Sequence, residues 1–385
     1  VPGHAFRRGS PALSGHPGRN RHGGGAAGAG SRLRLPAGAQ TPAPLLESGC
    51  GASAIQAMRT NAPDHDPAPR PAAGDGAVTV FAPASIGNLA AGFDVLGVAL
   101  APLDGEPWGD FVTAAPAAAD ELRCRGPFAA RLPADPRENL VWRAREAVAR
   151  RLGAPLPPLA LTLHKGLPVA SGLGSSAASA VAAVVAIDEA LGRPLGDAGR
   201  LAAAAEAEAS ASGAIHLDNV APILFGGVRL IAGDAGPREL PWPDDLRFVL
   251  LLPELALPTR QARAVLPPAV PLPLAVAHAQ NLATLVHALH AGERPLLAAS
   301  LRDLLVEPHR APLVPGFAAV QAAAREAGAL GCSLSGAGPA LFAVAAAAHA
   351  AAVGERAAAA WRRARIACRI RLCRVDPHGA RRVEG

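Results

Sequence analysis

Tyrosine is absent from these 385 residues, Phe and Trp together supply only 3% of them, and Lys165 is the sole lysine among 37 basic side chains. Alanine, glycine, proline and arginine fill the space, a bias that reads as a GC-rich genome and not as a functional signal. No apolar run reaches the roughly 18 residues that a membrane helix needs. The longest candidates, residues 177–187 and 340–348, read as buried core, so no membrane partner is expected and the chain should be soluble. The five cysteines (Cys50, Cys124, Cys332, Cys368 and Cys373) are odd in number and show no C-x-x-C spacing. That argues against a disulfide framework or a zinc site and fits inert thiols in a reducing cytoplasm.

Acidic residues are scarce at the start of the chain. Residues 1–57 hold six arginines against one acid, Glu47, a net +5 of the total +6. The basic balance therefore belongs to this stretch, and it is weak evidence for nucleic acid as a partner. Its Gly, Pro, Ala and Arg follow no sustained period and cannot bury enough surface to fold. The sole methionine is Met58, followed by a Pro-rich run at 62–76. Residues 1–76 are accordingly expected to be a disordered tail and linker, with translation starting at Met58 and an upstream extension before it. The same Gly and Pro density spoils any amphipathic targeting helix.

Beyond residue 76, strands are expected at 77–82, 94–100, 110–114 and 159–164, with a loop of small residues at 83–93. Helices are expected at 141–152, 177–191 and 200–211, and residues 222–230 should turn through Gly226 and Gly227 into a strand. A second set follows: strand 248–252, helices 259–266, 275–291, 295–304 and 317–326, a hairpin of 332–334 with 341–345, helix 350–362 and a closing strand 367–375. No internal repeat is visible. Strands and helices mixed without strict alternation indicate an α+β chain.

The most informative string is Leu167-Pro168-Val169-Ala170-Ser171-Gly172-Leu173-Gly174-Ser175-Ser176-Ala177-Ala178. It describes a strand end, a glycine turn and the first turn of a helix. A helix start presents unpaired N–H donors and the positive end of the dipole, which together bind phosphate. Gly172 and Gly174 allow close backbone approach. A glycine turn alone also occurs as a simple helix cap. The Walker pattern fails, since no lysine follows the glycines, and the dinucleotide pattern fails, since position 177 is Ala.

Taken whole, the string resembles the ATP loop of the GHMP kinases (galactokinase, homoserine kinase, mevalonate kinase and phosphomevalonate kinase). Two further family segments stand in the same order: Ala82-Pro83-Ala84-Ser85-Ile86-Gly87-Asn88-Leu89 with Gly92-Phe93-Asp94-Val95-Leu96-Gly97, and Ser333-Leu334-Ser335-Gly336-Ala337-Gly338-Pro339-Ala340-Leu341-Phe342. The resemblance runs from about Val78 to Val383. It implies a two-domain GHMP kinase fold, with a ribosomal protein S5 domain 2-like N-terminal domain (77–233) and a ferredoxin-like C-terminal domain (234–385). Within the family the chain is most similar to the homoserine kinases, through residues 92–97, Pro136-Arg137-Glu138-Asn139-Leu140-Val141, Ser212-Gly213-Ala214-Ile215-His216-Leu217-Asp218-Asn219-Val220-Ala221-Pro222, Val306-Glu307-Pro308-His309-Arg310 and Leu313-Val314-Pro315-Gly316-Phe317.

That resemblance implies phosphoryl transfer from ATP to L-homoserine in threonine biosynthesis, with Mg²⁺ as the metal and a homodimer as the assembly. Residues 168–178 would hold the triphosphate, with Asn139 near the adenine and Lys165 at a phosphate. Ser176 and Glu208 would bind the metal. Glu206 is a rival, but two residues turn a helix by about 200°, so only one of the two carboxylates faces the ion. Arg263 and Arg310 would take the acceptor's carboxylate, since a guanidinium fork binds it bidentately. Asp94 would take the ammonium, and Asn88, His216 and Asp218 would complete the pocket. Mevalonate-type relatives carry an aspartate near the attacking hydroxyl where this chain has Asn219, so transfer without a dedicated base is expected, the proton leaving to a phosphate oxygen or through Asp218. The competing readings are another GHMP kinase acting on mevalonate-type or diphosphocytidyl-methylerythritol acceptors, and a non-catalytic ligand sensor on the same fold.

Overall fold

The computed structural model describes residues 76–213 and 215–383. The expected tail and linker, apart from Gly76, and the proposed start at Met58 lie outside the described residues. The strands are β1 (Val78–Pro83), β2 (Ser85–Gly87), β3 (Leu96–Pro102), β4 (Gly109–Pro116), β5 (Glu121–Arg125), β6 (Leu159–His164), β7 (Val228–Ile231), β8 (Pro237–Leu240), β9 (Leu246–Pro253), β10 (Gly331–Leu334), β11 (Leu341–Ala346), β12 (Cys368–Val375) and β13 (Arg381–Arg382). The helices are α1 (Leu140–Leu152), α2 (Ser175–Ala190), α3 (Gly196–Ser212), α4 (Leu217–Phe225), α5 (Thr259–Ala264), α6 (Leu272–Ala291), α7 (Arg294–Ser300), α8 (Glu307–Arg310), α9 (Phe317–Glu326) and α10 (Ala350–Arg363).

Two sheets organise the chain. One runs β13-β1-β4-β6-β5, with only the β5–β6 edge parallel. The other runs β10-β11-β9-β12-β3-β7-β8, with β2 paired to β3. Strand β9 explains the continuous apolar run FVLLL. Its Phe248 and Leu250 enter one core while Val249 and Leu251 enter the other. A strand covered on both faces has no polar side to alternate with. Helix α2 is likewise buried almost all round, from Ala177 to Asp188. Its alanines let α1 and α3 pack closely and let it lie against β1 and β4; a helix apolar on every face is an interior helix.

The sequence expectation omitted β5, β8, β13 and the short helix α8, and it differs at three further places. The loop at 83–93 contains β2, whose Ser85–Gly87 pairs with Gly97 to Ala99; three residues are too few to show a period. Residues 217–225 form helix α4 before β7, although Pro222 reads as a breaker. Pro222 has no N–H to give to the Asp218 carbonyl. Gly97 of β3 packs against that same carbonyl. A Cβ at 97 would lie 1.6 Å from Asp218 O. The helix expected at 295–304 stops at Ser300, whose hydroxyl turns back onto the Leu296 and Leu297 carbonyls. The four described cysteines are free, and burial pushes the Cys332 and Cys368 thiols up to about 12, so they stay protonated and unreactive. Among the described residues, no helix is long and apolar enough to cross a membrane.

Because β3 and α4 meet backbone to backbone at Gly97, the substitution Gly97→Ala should destabilise the protein by at least about 2 kcal/mol in urea unfolding. An unchanged midpoint and slope would show that α4 is not seated there.

Candidate active site

The phosphate-loop string folds as its residue types demand. Ala170, Gly172 and Gly174 all take left-handed backbone (φ 57°, 83° and 64°). The last of them leads into α2, whose start carries no side-chain cap. The loop is held in place by the other two family segments. Ser335 Oγ donates to Gly172 O at 2.6 Å, Ala340 N–H donates to Ser171 O at 3.2 Å, and Ser85 N–H donates to Leu173 O at 3.1 Å. Gly336 N–H in turn donates to Gly87 O at 3.2 Å. The fit leaves no room for side chains: a Cβ on Gly172 would meet Ser335 O at 2.4 Å, and one on Gly174 would meet Ser85 Oγ at 2.1 Å. Three strings far apart in the chain thus converge on one helix start.

Of the loop hydroxyls, one faces the site. Ser171 Oγ donates back to Pro168 O and Ser175 Oγ to Leu167 O, so Ser175 contributes backbone and not its hydroxyl. Ser176 Oγ donates to Glu208 Oε1 of α3 at 2.9 Å. Leu173, Ala177 and Ala178 are buried beneath the loop. Glu206 turns away, as the helical spacing requires, and its carboxylate pairs with Arg150 at 2.6 Å. A hydroxyl and a carboxylate side by side at an uncapped helix start form a hard-oxygen site of the kind that holds Mg²⁺ together with phosphate oxygens and water. Among the described residues, no group of three or more His, Cys, Asp or Glu is arranged so that it could hold a metal ion by itself.

One expectation needs correction. Lys165 does not reach toward a phosphate. It is 1% exposed, and its ammonium donates to Asp110 Oδ2 (2.5 Å), Ser175 O (2.6 Å) and Ser179 Oγ (3.0 Å). All three N–H groups are engaged below the loop. Asn139 is the N-cap of α1: its Oδ1 accepts from Val141 N–H at 3.0 Å and its Nδ2 donates to Cys124 Sγ at 3.4 Å. The amide is thus engaged within the protein fold.

The residues expected to bind the acceptor assemble next to Glu208. Asp94 pairs with Arg263 Nη2 at 2.8 Å and lies 3.5 Å from His216 Nδ1. Its left-handed backbone (φ 58°) is held by an N–H bond to Asn88 Oδ1 at 3.1 Å. Asn88 Nδ2 and Arg310 Nη1 both donate to Gly336 O, which ties the pocket to the loop-docking turn. Arg310 is 2% exposed, and burial together with the Arg263 charge pulls it down to about 10. Asn219 bridges Ser85 Oγ (2.8 Å) and Asp218 Oδ2 (3.2 Å). Asp218 is 4% exposed, and burial, reinforced by the Asp94 charge, pushes it up to about 7. Burial also pushes Glu208 up to about 7 against the opposing hydrogen bond from Ser176, and it lowers His216 below its usual range.

Sequence reasoning missed several residues. Ser85 and Ser335 sit inside the quoted strings and were findable there. Asp110 sits in a strand with nothing to mark it, yet it grips Lys165 and Ser179 with one oxygen and the Gly166 and Leu167 N–H groups with the other. Asp303 accepts from the N–H groups of Leu305, Val306 and Glu307, and Glu307 accepts from Gln321 and Ser333. These bonds hold the one-turn helix α8 that carries Arg310.

The chain matches two family models, the GHMP kinases N terminal domain over residues 139–227 and the GHMP kinases C terminal over 285–363. Among solved structures it is similar to a homoserine kinase from Cytophaga hutchinsonii, at 35% identity and a TM-score of 0.74, over 80% of this chain and 98% of that one. A putative homoserine kinase from Listeria monocytogenes (24% identity, TM-score 0.58, 80% and 100% covered) shares the fold. So does the L. major mevalonate kinase solved with R-mevalonate (16%, 0.56, 77% and 95%).

Two outcomes are expected. Lys165→Met leaves Asp110 buried without its cation and should cost about 3–5 kcal/mol in chemical unfolding; a loss under about 1 kcal/mol would place the lysine at the surface. The raised Asp218 value means that this carboxyl stays protonated in the folded protein and ionises in the unfolded chain between about pH 4 and 7. Its contribution to stability therefore falls as pH rises through that window. Asp218→Asn should flatten this slope and raise Tm at pH 8 by at least about 3 °C, as thermal scans across pH would register; an equal or lower Tm would contradict it.

Proposed function

The chain belongs to the GHMP kinase family, and we propose that it transfers the γ-phosphoryl group of ATP to the side-chain hydroxyl of L-homoserine, giving O-phospho-L-homoserine. The observation that carries this reading is the convergence of Arg263, Arg310, Asp94 and His216 beside the Ser176–Glu208 pair. Both Glu208 and Asp218 feel the Arg263 charge, which supports reading the Ser176–Glu208 oxygens and the pocket around Asp218 as parts of one site. A pocket with two guanidiniums and a carboxylate suits a zwitterion. The 35% identity to a homoserine kinase over nearly all of that chain supports the same acceptor.

The mechanism follows from positioning. Phosphoryl transfer needs alignment and charge neutralisation more than covalent help. Ser176 and Glu208 would hold Mg²⁺, which neutralises phosphate charge when bound. The N–H groups at the α2 start would cradle the phosphates without structural change, since the loop is fixed from both sides. Arg263 and Arg310 would fix the acceptor carboxylate and so orient its hydroxyl toward the loop. As the acceptor oxygen bonds to the γ-phosphorus, the bond from phosphorus to the β-γ bridging oxygen breaks. The hydroxyl proton goes to Asp218 or to a phosphate oxygen. Asn219 cannot take it; its amide holds Asp218 and Ser85 in place. A carboxylate near pH 7 is well matched to accepting that proton.

With ADP release as the readout, kcat/KM for L-homoserine should exceed that for L-serine, L-threonine, mevalonate and diphosphocytidyl-methylerythritol by about 100-fold or more. A preference for mevalonate would assign the acceptor otherwise. Asp218→Asn should lower kcat by about 100-fold or more, while an acid limb near pH 7 persists from Glu208. A kcat within about three-fold of wild type would leave the proton to the phosphate alone.

A further inference from the structure

Two guanidiniums of like charge share one aromatic ring in the acceptor pocket. Arg263 Cζ lies 5.5 Å from the centre of the Phe93 ring, and Arg310 Cζ lies 5.4 Å from it. The two cations repel one another, and Arg310 registers the Arg263 charge. Each has a polar anchor on its outer side. Arg263 is held by Asp94, and Arg310 by the carbonyls of Ala262 and Gly336. Those anchors leave Arg263 Nε and Arg310 Nη2 buried without a partner, and His216 Nε2 is in the same condition. A buried donor without a partner is costly unless a ligand supplies the acceptor. A planar carboxylate offers two acceptor oxygens and a negative charge, which suits the two arginine donors.

The polar anchors fix one end of each guanidinium. What remains is to hold the two cations near one another against their mutual repulsion, and both lie within cation–π range of the one ring. An aromatic face is electrostatically negative and attracts both cations at once. Phe93 is itself fixed. It is half-buried and sits between Gly92 and Asp94 in a turn where Asn88, Leu89, Ala90 and Asp94 all have positive φ. Such a run persists only where surrounding bonds over-determine it. Here Gly92 N–H donates to Asn88 O at 2.7 Å and Leu96 N–H donates to Gly92 O at 2.8 Å.

We infer that Phe93 is the positioning residue of the carboxylate clamp, holding Arg263 and Arg310 so that their free N–H groups meet on the acceptor's carboxylate. The inference rests on the reading of the acceptor as a hydroxy-bearing amino acid and states which end of that acceptor the ring governs. The phosphate loop and the Ser176–Glu208 pair belong to other segments, so ATP binding should not depend on the ring.

The test is steady-state kinetics on the full chain with L-homoserine and with 3-aminopropan-1-ol, the same alcohol without its carboxylate, used as substrate or competitive inhibitor. Phe93→Leu should raise KM for L-homoserine by about ten-fold or more, with kcat and KM for ATP changed less than about three-fold. The constant for 3-aminopropan-1-ol should not move, and Phe93→Tyr should restore KM for L-homoserine. Replacing Phe93 by 3,4,5-trifluorophenylalanine keeps the ring's shape and weakens its electrostatic face, so it guards against a folding defect in the leucine variant. It too should raise KM for L-homoserine alone. Equal effects on both alcohols, or a KM for L-homoserine that ignores ring fluorination, overturn the clamp while leaving the acceptor reading intact. A wild-type enzyme that ignores L-homoserine but turns over another hydroxy acid overturns the acceptor reading, and the same variants then test the clamp on that acid.

Discussion

One buried carboxylate determines where the proposed nucleotide site can be. Asp110, 0% exposed on β4, holds the Gly166 and Leu167 N–H groups with one oxygen and Lys165 and Ser179 with the other. Through Lys165 it also reaches the Ser175 carbonyl. The sheet, the strand end before the loop and the first turn of α2 are therefore one electrostatic unit. Removing either charge leaves the other stranded in a low-dielectric interior, which is far more costly than the intact pair is stabilising. The helix start above this unit carries no side-chain cap.

The rest of the site is built by closing other segments over that start. The turn at 335–340 docks on the loop by backbone contacts that tolerate no Cβ at Gly172, and its Gly336 carbonyl then serves Asn88 and Arg310. The same few atoms thus set the nucleotide loop and the acceptor pocket relative to each other. Stability is surrendered there in identifiable ways: a buried Asp218 held near neutrality, buried arginine donors without acceptors, and a run of left-handed residues at 88–90. These are features a ligand can relieve, and they cluster where phosphoryl transfer would occur.

Much of this was legible in the sequence, for physical reasons. The loop string shows itself because its glycines and serines meet a geometric need that few other residues satisfy. Helical rotation lets only one of Glu206 and Glu208 face the site, the family resemblance points to Glu208, and the structure sends Glu206 to Arg150 on the surface side. The long apolar runs of β9 and α2 reveal elements buried on every face. What stayed hidden depends on partners distant in the chain. Lys165 looked like a phosphate ligand because its counter-charge, Asp110, lies 55 residues away in sequence. Helix α4 was masked by Pro222, and β2 by its brevity. Phe93 was inside a quoted string, but nothing local shows that two arginines from later segments come to rest on its ring.

The account's central claim is that the phosphoryl group lands on a primary alcohol of an amino acid. Phosphorus NMR of the protein incubated with Mg²⁺, ATP and L-homoserine reports this directly. The account predicts a new phosphomonoester signal, split into a triplet by one adjacent methylene and growing in step with ADP. Accumulation of ADP with inorganic phosphate alone, or an ATP spectrum that does not change, would contradict it.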